Sequence, residues 1–301
     1  MSPVANTTIY KLNLKIKFDI KYYKYLFFYL MQIKLKKRKF NSRYAITFGE
    51  TAILHVGGKE FGSKEHKNGF SVEDLKLISD KLKNYSEYIS LSNSLPKELQ
   101  KNNDAGVLVI RCNNQPSDNV LSVSRFFADK LYKEQKLNVV YDDKYWDNRR
   151  SKTLNKRARK NIIFGNTEIQ HSDDYTQPSI KSFSKLPFLM KIKNKLQDAL
   201  GKKAFDLQAE GNHYHHTTSG IGYHGDSERK IVICLSLGKS SLIRFNWRMP
   251  HSSNHELKPI DIKLNHGDIY IMSEKATGYD WKQRSKIRVV HAAGHIKYID
   301  K

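Results

Sequence analysis

After Gly201 the chain changes texture, and that change constrains its architecture more than any other feature. Before it, Leu189, Ile192, Leu196 and Leu200 recur at helical steps behind Pro187, whose missing N–H suits a first helical turn. Beyond it, apolar runs such as Ile231-Val-Ile-Cys-Leu-Ser-Leu-Gly238 and Ile269-Tyr-Ile-Met272 are short and separated by Gly, Asn and Asp clusters. That is the pattern of strands joined by tight turns. The expected class is α+β, one unit with helices supporting its N-terminal side and strands from about residue 204 onward.

Upstream, Tyr44–Phe48 and Ala52–Val56 read as strands around Gly49. Ser71-Val-Glu-Asp74 has capping-box spacing ahead of Leu75, Ile78 and Leu82 at helical intervals. Val107–Ile110 reads as a buried strand, residues 121–137 (Phe126, Phe127, Leu131) as a helix, and Asn138–Tyr145 as a strand again. Residues 1–40 stand apart, with ten Lys/Arg against the single acid Asp19. Their apolar run Tyr25–Met31 is far shorter than the roughly 18–20 residues of a membrane span. Lys36-Lys-Arg-Lys39 is no signal-peptide cleavage site. The expected organisation is a basic N-terminal extension (1–40), an α/β supporting region (41–156) and a third region (157–301).

A 39% hydrophobic and 11% aromatic content excludes a wholly disordered chain. A net charge of +23 favours a polyanionic partner, nucleic acid (DNA or RNA) above all. Seven Lys/Arg and no acid lie between Arg149 and Lys160, either a solvated face or a stripe contacting phosphates. Cys112 and Cys234 cannot form a disulfide scaffold or a four-cysteine zinc site. The expectation is therefore a reducing, intracellular compartment, cytoplasm or nucleus (for a viral protein, the host cytoplasm), with no transmembrane span and no stable protein partner.

Chemistry concentrates in residues 211–226. His224-Gly-Asp226 sets an imidazole and a carboxylate two residues apart, on one face of a strand. A distant histidine would complete a two-histidine, one-carboxylate set, which holds Fe(II) and leaves coordination positions open. His291, in Arg288-Val-Val-His-Ala-Ala-Gly294, is the candidate. The spacing alone is not selective, since His171-Ser-Asp173 and His266-Gly-Asp268 share it. The first lies in a polar stretch, and the second reads as a turn organised by its aspartate. Only the middle one combines the pair with an adjacent buried strand and a far histidine.

Around this pair the chain resembles the AlkB-like branch of the 2-oxoglutarate- and Fe(II)-dependent dioxygenases. Asn212-x-Tyr214 resembles the branch's 2-oxoglutarate-contacting Asn-x-Tyr, and Ile221-Gly-Tyr-His-Gly-Asp226 its metal-binding element. Leu235–Gly238, Ile243–Arg248, Leu264–Met272 and Trp281 follow its later strands, and Arg159–Gly165 with Tyr175 its substrate-side segment. The likeness runs from about residue 157 to 296 and includes uncharacterised members encoded by large DNA viruses and some eukaryotes. It implies a double-stranded β-helix (jelly-roll) core over 157–301. It also implies Fe(II) on His224, Asp226 and His291, with 2-oxoglutarate and O2 as co-substrates. The implied reaction couples decarboxylation of 2-oxoglutarate to hydroxylation of a substrate C–H, and on an N-methyl group it releases formaldehyde.

Two departures stand out. The distal histidine comes ten residues after Trp281 rather than close behind it. The branch also places arginines beyond that histidine for the 2-oxoglutarate carboxylates, whereas here none follows Arg288. Lys297 is the expected substitute beside Asn212 and Tyr214, ahead of Lys301 and Arg288. Tyr223, Glu228, Arg229 and Arg159 are the substrate-side candidates. Against that, Glu228–Arg229 could be a surface ion pair, and Tyr223, Trp247 and Trp281 could be core packing rather than base-stacking groups. His213, His215 and His216 read as solvated. The expected function is oxidation of a nucleic-acid base. The alternatives are a protein side chain or small molecule as substrate, or a metal-free nucleic-acid-binding module on the same fold.

Overall fold

Alternation along Arg43–Gly49 (β1) sends Tyr44, Ile46 and Phe48 into an apolar core, while Arg43, Ala45 and Thr47 face a cavity. The computed structural model describes residues 40–53, 60–62, 68–112, 121–251 and 257–300. Apart from Phe40, the basic extension lies outside them, as do residues 54–56 of the second expected strand. Among the described residues, no helix is long and apolar enough to cross a membrane.

After β1 come β2 (Thr51–Ile53), β3 (Glu60–Gly62), helix α1 (Val72–Leu82) and β4 (Ser86–Ser90). Next are α2 (Lys97–Gln100), β5 (Gly106–Ile110), α3 (Arg125–Asn138), β6 (Lys144–Asp147) and β7 (Lys152–Asn155). Then follow β8 (Lys160–Gly165), β9 (Ile180–Ser182), α4 (Pro187–Leu200), β10 (Gln208–Tyr214) and β11 (Gly220–His224). The chain continues through β12 (Val232–Gly238), β13 (Ser241–Arg248) and β14 (Ile260–Leu264). It closes with β15 (Ile269–Met272), β16 (Arg288–Gly294) and α5 (Ile296–Ile299).

Local chemistry starts the helices where the sequence places them. Ser71 Oγ accepts from Asp74 N–H at 3.0 Å and the Asp74 carboxylate from Ser71 N–H at 2.8 Å, a reciprocal capping box. The first turn of α4 is capped from outside: Glu134 on α3 accepts from the Phe188 and Leu189 amides at 2.8 and 3.0 Å.

An eight-stranded sheet runs β4-β5-β15-β12-β1-β10-β8-β9, antiparallel except for the β8–β9 pair, and a four-stranded sheet runs β11-β16-β13-β14. Leu75 of α1, Leu131 of α3, and Leu189 and Ile192 of α4 share a core with Ile46, Phe48 and Phe164 of the large sheet. A second core draws Val232, Cys234 and Met272 from the large sheet and Phe245, Trp247, Ile262 and Val289 from the small one, so the sheets pack face to face. The result is a strand-rich mixed α/β architecture.

Two expectations change. Strands from 41–156 and 157–301 interleave in the large sheet, with β1 between β10 and β12, so packing does not divide at residue 156. The strand read at Asn138–Tyr145 begins only at Lys144, because α3 continues to Asn138. Leu137 and Val140, around the end of α3, are 75% and 85% exposed.

Candidate functional site

β11 and β16 lie side by side in the small sheet with His224 directly opposite His291, and their rings are 4.5 Å apart between centroids. Asp226 closes the group: its carboxylate oxygens lie 3.9 Å from His224 Nε2 and 4.0 Å from His291 Nε2. One donor atom from each residue falls within 4.8 Å of the others, a set that could hold a metal ion. His224 Nδ1 lies 2.8 Å from the Gly222 carbonyl, which can only accept. The ring proton is therefore on Nδ1, and the Nε2 lone pair faces the group. Burial, with His224 and the Arg229 charge beside it, holds His291 well below the usual imidazole range, so it is neutral at physiological pH. The Asp226 amide bonds the Thr277 carbonyl at 2.9 Å, which fixes the turn after β11.

The cavity between the sheets is lined by these three residues and by Arg43, Thr47, Arg159, Glu210, Asn212, Tyr214 and Arg229, among others. Asn212 accepts from Arg159 Nε in a short hydrogen bond. Arg229 is 4% exposed and bonds Glu210 at 3.0 Å and Glu228 at 2.7 Å, so this is a buried ion pair and not the surface pair considered from sequence. Burial alone would raise the Glu210 carboxyl, but Arg229 and Arg159 outweigh it and hold it below its ordinary value. Arg229 Nη1 is buried without a hydrogen-bond partner.

Of the substrate-side candidates, Arg159 and Arg229 reach the cavity; Glu228 touches it only through Arg229, and Tyr223 does not line it. Tyr223 borders a separate hollow with Arg248, His251, Trp281, Lys282, Arg284 and Arg288. Strand alternation accounts for this, since the neighbour of an inward His224 must face outward. Trp247 is core, its indole N–H bonded to the Leu91 carbonyl at 3.0 Å.

Among the carboxylate-anchor candidates, Tyr214 is in the cavity and Lys297 is not. Lys297 is exposed on α5, its ammonium 5.0 Å above the neighbouring Tyr298 ring. Arg288 donates to the carbonyls of Trp281, Met249 and Lys286, and Lys301 lies outside the described residues. Sequence reading missed Arg43, which is 6% exposed and stacked over the Tyr214 ring with its guanidinium carbon 4.0 Å from the centroid. Its alternation with Ala45 and Thr47 was visible; the strand's neighbours were not.

The remaining histidines play other parts. His213 stacks on Tyr44 at 4.4 Å rather than standing in solvent, while His215 and His216 are exposed. The His266-Gly-Asp268 triplet organises a turn, as expected: Asp268 accepts from the Asn265 and Cys112 amides, each at 2.9 Å. In the basic run, Arg149, Arg150 and Lys152 are exposed around the β6–β7 turn, whereas Lys156 is buried and pushed down to about 8 by that burial.

Residues 127–283, just over half of the chain, match the model of the 2OG-Fe(II) oxygenase superfamily. That segment holds His224 and Asp226 but stops short of His291 and excludes β1. The chain is also 34% identical over 259 residues to an uncharacterized protein of Acanthamoeba polyphaga mimivirus, an alignment spanning 84% of this chain and 96% of the relative. With that match and a two-histidine, one-carboxylate cluster opening into a cavity between two sheets, the chain belongs to the 2OG-Fe(II) oxygenase superfamily and is a dioxygenase using Fe(II), 2-oxoglutarate and O2.

Proposed function

We propose that this dioxygenase is AlkB-like, built on a double-stranded β-helix, and hydroxylates or oxidatively demethylates a nucleic-acid base. His224, Asp226 and His291 are its iron ligands, and the observation that carries the reading is their convergence from two strands and a turn at the wall of one cavity. The donor set fits Fe(II), since two imidazoles and one carboxylate occupy one side of an ion and leave the rest open. Orphaned buried polar atoms fit the co-substrate: Arg43 Nε and Nη1 and Arg229 Nη1 line the cavity without partners, as donors awaiting carboxylates would.

Bound Fe(II) with 2-oxoglutarate and O2 supplies the oxidising chemistry, leaving succinate and CO2. The chain's own groups prepare the site. The Gly222 carbonyl holds the His224 tautomer, and the Thr277 carbonyl fixes the Asp226 turn. The Arg229–Glu210 pair stiffens the wall between Asp226 and β10, and the apolar faces of Val232, Ile243, Leu264 and Met272 keep the cavity poor in water.

Charge supports the nucleic-acid substrate. The net charge is +23, and Arg149, Arg150 and Lys152 project from the β6–β7 turn toward solvent. The hollow bordered by Tyr223 and Trp281 gathers Arg248, His251, Lys282, Arg284 and Arg288, with no carboxylate among its lining residues. Lys282 and Arg284 are exposed at its edge, cations placed to meet a phosphodiester. The test is 2-oxoglutarate turnover, read as succinate release, with methylated single- and double-stranded oligonucleotides against peptides of matched concentration. Stimulation by oligonucleotides alone supports the reading; stimulation by peptides alone moves the substrate to a protein side chain.

A further inference from the structure

Arg43 begins β1, which lies between β10 and β12 in the large sheet and opposes Tyr214 on one side and Gly238 on the other. Its guanidinium is buried over the Tyr214 ring, and Nε and Nη1 have no hydrogen-bond partner. The other cavity arginines are already paired with carboxylates, Arg159 with Glu210 and Arg229 with Glu210 and Glu228, although Arg229 Nη1 keeps no partner of its own. Among the described residues, no carboxylate pairs with Arg43. A buried guanidinium left this way is costly, and the cost falls away when a carboxylate enters and takes both N–H groups.

Position selects the carboxylate. Arg43 also borders a second hollow with Ser219, Ser241 and Gly294. Gly294 lies three residues beyond His291 on β16, roughly 10 Å away at about 3.3 Å per residue. A five-carbon dicarboxylate whose keto-acid end sits at the His224–Asp226–His291 group spans that gap once a metal–oxygen bond and an N–H···O contact are added at its two ends. Tyr214, stacked beneath Arg43 and lining the same cavity, holds the guanidinium plane in place.

We infer that Arg43, on a strand far from β16 in the sequence, binds the distal carboxylate of 2-oxoglutarate. The inference rests on the iron-site reading above. It replaces Lys297, and it makes β1 part of the co-substrate site rather than of a separate supporting region.

The test is calorimetric binding to the full chain loaded anaerobically with Mn(II), comparing 2-oxoglutarate with 2-oxovalerate, which has the same carbon chain and no distal carboxylate. Arg43→Ala should weaken 2-oxoglutarate on the order of 30-fold or more, the usual loss for one partner of a buried charge pair. Its 2-oxovalerate affinity should stay within about threefold of wild type, and Arg43→Lys should lie between, since an ammonium replaces the charge but not the fork. Equal 2-oxoglutarate affinity in wild type and Arg43→Ala would overturn the inference while leaving the iron site standing. A matched loss of both keto acids would also overturn it, as it would mark Arg43 as structural. Failure of wild type to bind Mn(II) or either keto acid would overturn the iron-site reading itself.

Discussion

Gly225 and Gly278 pack backbone against backbone. A Cβ on Gly225 would lie far inside contact distance of the Gly278 carbonyl oxygen and 2.7 Å from Cδ1 of Trp281. Gly278 in turn has a left-handed φ of +69° that favours glycine. The residue between His224 and Asp226 is thus small because the 3-10 turn at Lys275–Thr277, with Gly278 behind it, passes directly over it. Gly225→Ala should push Asp226 away from the histidines and weaken Mn(II) binding at least tenfold, with the far-ultraviolet circular dichroism little changed. Wild-type metal affinity in that variant would count against the tight fit.

Removing a donor should abolish ion binding without unfolding the chain. In wild type, saturating Mn(II) should raise Tm, because an ion bound to the folded state alone stabilises it by mass action. His224→Ala and His291→Ala should lose that rise, measured by scanning fluorimetry, and should lose 2-oxoglutarate turnover with it. A preserved metal-dependent rise in both variants would rule these residues out as ligands.

Arg229 is the centre of a buried charge cluster, with Glu210 and Glu228 as its partners at side-chain exposures of 7% and 13%. Arg229→Met keeps the apolar stem but strands Glu228 and leaves Glu210 only its longer, 3.9 Å pair with Arg159. Urea denaturation should show a loss of about 3–5 kcal/mol, the range for removing one member of a buried pair. The additional Glu210→Gln change should recover part of it, since one poorly paired charge is then gone.

His213 gives a pH dependence with a definite sign. Burial, then the fields of His215 and Lys160, lower its imidazole from the ordinary 6.5 to about 4. Between those values the unfolded chain takes up a proton that the folded one refuses, so the stability tied to this ring is complete above about 6.5 and lost as pH falls toward 4. Tm measured across that window should decline with acid, and His213→Gln should make the decline shallower. An identical profile in the variant would mean that other groups control it.

The cation-lined hollow offers a separate check on the substrate. Lys282 and Arg284 are exposed at its edge and remote from the metal-site cavity lining. Charge reversal at both should weaken oligonucleotide binding and flatten its dependence on salt, because fewer counterions are released per complex. Binding of 2-oxoglutarate should be unchanged. An unaltered salt slope would place the nucleic-acid path elsewhere on the protein.

Most elements, and half of the site, were legible in local residue patterns. The capping box at Ser71–Asp74, the helical steps behind Pro187 and the buried run at Ile231–Gly238 are local signals, and each became the element expected. His224 and Asp226 could be paired because they are two residues apart, although the strand ends at His224 and Asp226 reaches the group from the turn behind it. Strand alternation, applied to Tyr223, would have sent it to the opposite face. Which strands lie side by side could be read only from the folded molecule. Nothing near Arg43 announces that β1 lies between β10 and β12, or that its guanidinium covers Tyr214 in the cavity shared with His291. Strand order in a sheet depends on how all the apolar faces are buried together, a property of the whole packed molecule that no local window of residues contains.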